Sequence, residues 1–172
     1  FVDCLLTYED KRFFYHPGID PAAIFRAIRL NGKAGRVVSG GSTLTMQLAR
    51  IARGNQDRTF YEKTIEMCWA LFLETTHSKQ EILNLYASHA PFGGNVIGLE
   101  TAAWRYFGRS ASELSWAESA TLAVLPNSPA LIHPGRNRKQ LKEKRDRLLA
   151  SLQKKGVLEE TEYELACMEP LP

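Results

Sequence analysis

Strict apolar–polar alternation is nearly absent from this chain, and helix start and stop signals take its place. Asp20-Pro21 reads as an N-cap followed by proline at the first helical position, with Gly32 closing that helix. Ser42 or Thr43 caps a helix that ends near Gly54. Thr59-x-x-Glu62 is a capping box opening a long helix to about Thr76, and Ser78-x-x-Glu81 opens the next. A further helix is predicted from about Val96 to Phe107, stopped by Gly108, and Ser115-x-x-Glu118 opens another that ends at Pro126. Asn137 caps a helix with Leu141, Leu148 and Leu152 on one face, closed by Gly156. Thr161-x-x-Glu164 caps a short terminal helix.

The pattern therefore predicts a mainly α domain with at most one short strand, Arg36-Val37-Val38-Ser39. Polar, glycine-rich loops are expected at residues 32–41 and 91–95, the first being the most mobile part because it has four glycines and few apolar anchors. At 172 residues the chain fits one domain, residues 1–172, with room for a sizeable core. It starts at Phe1 and ends in Glu169-Pro170-Leu171-Pro172, which reads as a domain excised from a longer protein.

Composition excludes more than it identifies. With 44% hydrophobic and 24% charged residues, the chain is neither collagen-like, disordered nor a disulfide scaffold. Cys4, Cys68 and Cys167 are odd in number and widely spaced, so they form neither a zinc site nor a disulfide framework. No apolar run approaches the roughly 18 residues that span a bilayer. The net charge of +3 hides an asymmetry: between Arg26 and Lys63, eight basic residues stand against Asp57 and Glu62. Such a stretch suits an anionic partner such as phosphate, nucleic acid or a membrane surface, and equally a solvated helix face.

Three segments hold candidate chemistry. In Tyr8-Glu9-Asp10-Lys11-Arg12-Phe13-Phe14-Tyr15-His16-Pro17-Gly18, two adjacent carboxylates sit beside two cations, followed by a block of aromatics. Aromatic surface raises a carboxyl pKa toward general acid–base use, Lys11 and Arg12 oppose that shift, and a structural acidic pair at a helix end fits as well. In Ser39-Gly40-Gly41-Ser42-Thr43-Leu44-Thr45-Met46-Gln47-Leu48-Ala49-Arg50, glycines lead into a helix N-terminus, offering N–H groups, hydroxyls and a cation to an anion. The same segment reads as an ordinary loop-to-helix junction. In Arg58-Thr59-Phe60-Tyr61-Glu62-Lys63-Thr64-Ile65-Glu66, Lys63 and Glu66 share a helix face, either as a surface ion pair or as a phosphate-binding cation beside a carboxylate.

In this order and spacing, the Glu-Asp-x-x-Phe…His-x-Gly, Gly-Gly-Ser-Thr-x-Thr-x-Gln and Arg-Thr…Lys-x-x-Glu blocks resemble the family 51 glycosyltransferases. With Trp116-Ala117-Glu118…Leu125-Pro126, the resemblance runs from Glu9 to about Leu152. These are the peptidoglycan polymerase domains of class A penicillin-binding proteins. Met46, Ala90-Pro91-Phe92-Gly93-Gly94 and Leu131-Ile132-His133-Pro134 look most like their C-type branch. The resemblance implies a lysozyme-like, mainly helical fold, and polymerisation of lipid II into β-1,4 glycan strands with inversion and release of undecaprenyl pyrophosphate. It implies Glu9 as general base and Glu66 as the second essential carboxylate, and leaves open a divalent cation, Mg or Mn, at Glu66. Ser42, Thr45, Gln47, Arg50, Arg58 and Lys63 would hold the pyrophosphate, with Asp10, Phe13, His16 and Gly41 completing the substrate-binding set.

The implied partners are lipid II and the growing lipid-linked glycan, the membrane surface, and a downstream transpeptidase domain, with no nucleic acid. The implied location is the outer, periplasmic face of a bacterial cell membrane, and the phosphoglycolipid inhibitor moenomycin would compete at the donor groove. A lysozyme-like peptidoglycan hydrolase using Glu9 as acid, or a non-catalytic basic binding module, are the alternatives. Many relatives have glutamine where Met46 stands, arginine where Glu62 stands, and Tyr-Leu-Asn where Tyr86-Ala87-Ser88 stands. The Glu62 exchange removes one cation from the donor region.

Overall fold

Helix caps account for most of the architecture. The computed structural model describes residues 1–36, 40–54, 59–126, 135 and 137–172. The 37–39 part of the expected strand, Arg58 and the Leu131-Ile132-His133-Pro134 segment lie outside them. Among the described residues the regular elements are helices: α1 Val2–Glu9, α2 Pro21–Ala34, α3 Leu44–Ala52, α4 Phe60–Thr76, α5 Lys79–His89, α6 Leu99–Phe107, α7 Trp116–Val124, α8 Arg138–Lys154 and α9 Glu160–Met168. The fold is mainly α, and its one β feature among those residues is an isolated bridge between Pro91 and Ile97.

The chain divides into two compact units, one formed by Phe1–Lys11 with Ala87–Pro172 and the other by Arg12–Tyr86. In the first, α7 is buried along nearly its whole length, and α1, α6, α8 and α9 all pack on it. Cys4 and Leu5 of α1 and Leu141, Leu148, Leu149 and Leu152 of α8 complete that core. Arg145 is fully buried there, and its guanidinium donates to the carbonyls of Glu169 (2.7 Å) and Cys167 (3.2 Å), tying the chain's end to α8. In the second unit α3 packs against α4, and Leu44, Met46, Leu48 and Ala49 of α3 are buried.

Departures from the sequence reading have local causes. Gly32 does not stop α2, because an interior glycine costs a helix only about 1 kcal/mol. The stop is Gly35, the left-handed residue at φ 62°. The predicted start near Val96 moves to Leu99, because residues 91–97 fold into a turn that Tyr106 pins through hydrogen bonds to the Phe92 (3.0 Å) and Gly93 (3.1 Å) carbonyls. The terminal helix begins one residue before Thr161, with the capping box formed by Glu159 and Glu162. Asn137 begins α8 in the left-handed region and makes no side-chain cap. Helix α1 was not predicted: its N-cap is Phe1, which offers no capping oxygen.

Gly18 seats the segment after α1 on α4. Its φ is +89°, and a Cβ there would lie 2.6 Å from the Ala70 carbonyl oxygen and 2.8 Å from its carbon. Its own carbonyl accepts from the hydroxyl of Thr43 at 2.5 Å, and Thr43 in turn caps α3 by accepting from the Met46 N–H. Gly18→Ala therefore combines left-handed strain with backbone overlap, and about 3 kcal/mol of lost stability is expected in a urea titration.

Candidate active site

In the Arg12–Tyr86 unit, Glu66 sits in the second turn of α4 and is 5% exposed. Arg50, from the last turn of α3, makes a two-pronged pair with it: Nε to Oε1, and Nη2 to Oε2 at 3.2 Å. Lys63, three residues earlier on the same helix face, donates to Glu66 Oε2 at 2.8 Å and to Ser42 Oγ at 2.6 Å. Thus the glycine-led loop, α3 and α4 are stitched by two cations sharing one carboxylate. Burial pushes the Glu66 carboxyl up, but the hydrogen bonds and charges of Arg50 and Lys63 outweigh it and hold it below the usual glutamate range.

That depression has a pH consequence of definite sign. The unfolded chain binds the proton more tightly than the folded one, so the stabilisation is complete above the ordinary value of 4.5 and disappears as pH falls through the lower folded value. Urea midpoints are expected to drop in that acid window, and Glu66→Gln is expected to flatten the drop.

The other predicted site residues of this unit have contacts of their own. Gly41 approaches α2 so closely that a Cβ would lie 2.9 Å from Ile24 Cα. Thr45 is fully buried and donates to Glu74 Oε1 at 2.7 Å, which also accepts from Lys79 at 2.7 Å. Gln47 accepts from the Tyr86 hydroxyl at 3.3 Å. Phe13 is buried in a 3₁₀ turn, with the Lys79 ammonium 4.4 Å above its ring. His16 is buried, accepts at Nδ1 from the Gly18 N–H at 3.2 Å, and offers its carbonyl to Lys79. Glu62 pairs with Arg53, so this departure from the family pattern also engages a neighbouring cation.

Both Glu66 oxygens are engaged by cations, and among the described residues no group of three His, Cys, Asp or Glu is placed to hold a metal. This donor set does not fit a divalent ion on Glu66, and no step below is routed through one.

In the unit containing the chain ends, Glu9 is the last residue of α1 and half-buried, and Asp10 caps the helix with its backbone N–H on Leu6. Next to them opens a pocket of about 290 Å³ lined by residues of the Thr7–Lys11 stretch and of α8. Lys144 of α8 lies in the field of Glu9, as does Tyr8, whose phenol is pushed up to about 12 by burial and then by Glu9. Sequence reasoning missed Lys144 as a neighbour of Glu9 and Arg147 as a wall of the adjoining pocket. It also missed Glu74 and Lys79 as supports of the α3–α4 cluster.

A family profile described as Transglycosylase matches residues 1–153. Penicillin-binding protein 1C of Escherichia coli K12 is 40% identical over 171 residues, covering 99% of this chain and 22% of the relative. Penicillin-binding protein 1A of Aquifex aeolicus VF5 is 38% identical over 170 residues, covering 99% and 23%. The crystal structure of penicillin-binding protein 1A from Haemophilus influenzae superposes with a TM-score of 0.51 at 25% identity, over 75% of this chain and 16% of that one. The chain thus spans under a quarter of the length of these relatives.

Proposed function

The chain belongs to the transglycosylase family, and from that premise we propose that it polymerises lipid II into β-1,4-linked peptidoglycan strands. The observation that carries the proposal is the Arg50–Glu66–Lys63–Ser42 cluster, in which two cations share one carboxylate and one of them, Lys63, also donates to the Ser42 hydroxyl. A diphosphate is already a good leaving group, so its departure needs positive charge and N–H donors more than a general acid. Arg50 and Lys63 supply that charge. Glu66 acts as a positioning residue that fixes both, and the glycine-led loop at Gly41–Ser42 brings its backbone to the same place.

Glu9 then takes the proton from the 4-hydroxyl of the acceptor's N-acetylglucosamine. The freed oxygen forms a bond to the anomeric carbon of the donor's N-acetylmuramic acid, on the face opposite the diphosphate. The C–O bond to the diphosphate breaks, its electron pair leaves with undecaprenyl pyrophosphate, and the configuration inverts. A hydrolase would need a protonated acid at the leaving oxygen and no such cation pair. The test is incubation with lipid II: glycan chains with released undecaprenyl pyrophosphate support the reading, and reducing ends freed from finished peptidoglycan instead would overturn it.

The substrate's lipid places the reaction at a membrane, at the outer face in the reading proposed. No helix among the described residues is long and apolar enough to cross one. Instead α2 exposes Phe25 (69%) and Ile28 (66%) beside exposed Arg26 and Arg29, and α4 exposes Phe60, Tyr61 and Phe72. Apolar side chains beside cations suit the headgroup region of an anionic bilayer. Phe25→Asp with Ile28→Asp is expected to cut cosedimentation with anionic vesicles by about tenfold or more. A downstream transpeptidase domain in the full-length protein and moenomycin competition at the cation cluster belong to the same proposal.

A further inference from the structure

The pocket beside Glu9 holds a charge pattern that the chemistry above leaves unused. Lys144 and Arg147 line it from α8, one turn apart, while Tyr8 lines it from the last turn of α1 and Lys11 from two residues past that helix. Ser151 adds a hydroxyl, and Leu148 an apolar patch. A fourth cation, Lys155, donates to the Thr7 hydroxyl at the same wall at 3.0 Å. These cations disfavour one another: Lys155 is held down by burial and by Lys11, and Lys144 by burial and by Arg147.

The negative charge facing them is smaller. Glu9 acts on Lys144, and Glu143 lies 3.5 Å from Arg147 in a pair exposed at the rim, where such pairs contribute little. Tyr8, with its phenol pushed up to about 12, stays a neutral donor at any physiological pH. Like charges gathered around one concavity focus the field on it and raise the local concentration of anions. At about 290 Å³ the pocket lies at the small end for ligand sites, suited to one charged group of a larger molecule.

We propose that this pocket is an anion subsite, binding a phosphate or carboxylate group of the substrate through Lys11, Lys144 and Arg147 with hydroxyl donors from Tyr8 and Ser151. The proposal rests on the lipid II reading, since that substrate offers both groups: its diphosphate and the carboxylates of its peptide. It places an anchor on the same unit as Glu9, so that one anionic group of the sugar-bearing substrate is held while Glu9 accepts the proton.

The test is an NMR titration of the chain with inorganic phosphate and, separately, with malonate, following the Arg147 Nε–H and the Lys11 and Lys144 ammonium signals against a sodium chloride control. Saturable shifts are expected, with affinity about tenfold weaker in Lys11→Gln/Arg147→Gln, two exposed positions whose replacement leaves the core intact. Preference for phosphate assigns the pocket to the acceptor's diphosphate, the donor's being the one placed on Arg50 and Lys63, and preference for malonate assigns it to the peptide carboxylates. Shifts that follow ionic strength alone, as with chloride, overturn the subsite. Saturable binding in a chain that makes no glycan from lipid II would overturn the polymerase reading and leave the subsite standing.

Discussion

Glu9→Gln is expected to lower lipid II turnover by about 10²- to 10⁴-fold, the range that a positioned general base supplies. Glutamine keeps the shape and some hydrogen bonding of the side chain but cannot take a proton from the attacking hydroxyl. Glu9 ends α1 and is only half-buried, so the folded state is expected to survive the change. A gel-resolved polymerisation assay beside a thermal melt checks both parts. Turnover within a factor of a few of wild type would remove Glu9 from the chemistry.

Arg50→Met is expected to damage both stability and activity. Glu66 is buried, and with Arg50 gone its carboxylate keeps Lys63 but loses the two-pronged partner. Removing one member of a buried pair costs about 3–5 kcal/mol; the retained Lys63 argues for the lower end. At about 2–4 °C per kcal/mol for a chain of this size, the melting temperature should fall by roughly 6–12 °C. Adding Glu66→Leu removes the stranded charge, so the double variant should regain most of that thermal loss. It should regain none of the turnover, because Arg50 is absent and Lys63 has lost the carboxylate that places it. Recovery of both together would make the cluster structural only.

The caps were the legible part of the fold. Ser115 with Glu118, Ser78 with Glu81, and Asp20 before Pro21 each announce a helix by offering an oxygen to an otherwise unmatched N–H, and each does so in the structure. Helix α1 gave no such signal, and its place is set by packing of Cys4 and Leu5 in the core formed with α7 and α8. Gly32 misled because a glycine carries no instruction to stop, while the left-handed turn falls three residues later at Gly35.

The site divides in the same way. Lys63 with Glu66 was readable from helical spacing alone, since residues three apart share a face. The Arg50 partnership with Glu66 joins residues 16 apart in sequence on two different helices, which no local pattern encodes. The Tyr8–Lys144–Arg147 pocket brings together the two ends of the chain, so only the fold reveals it.

The division of labour between holding the diphosphate and moving the proton is tested most directly by equilibrium binding of undecaprenyl pyrophosphate to wild type, Glu9→Gln and Lys63→Gln. Glu9→Gln should bind it within about twofold of wild type despite its lost turnover, and Lys63→Gln about tenfold more weakly. Undiminished binding by Lys63→Gln, with loss in Glu9→Gln instead, would contradict the account.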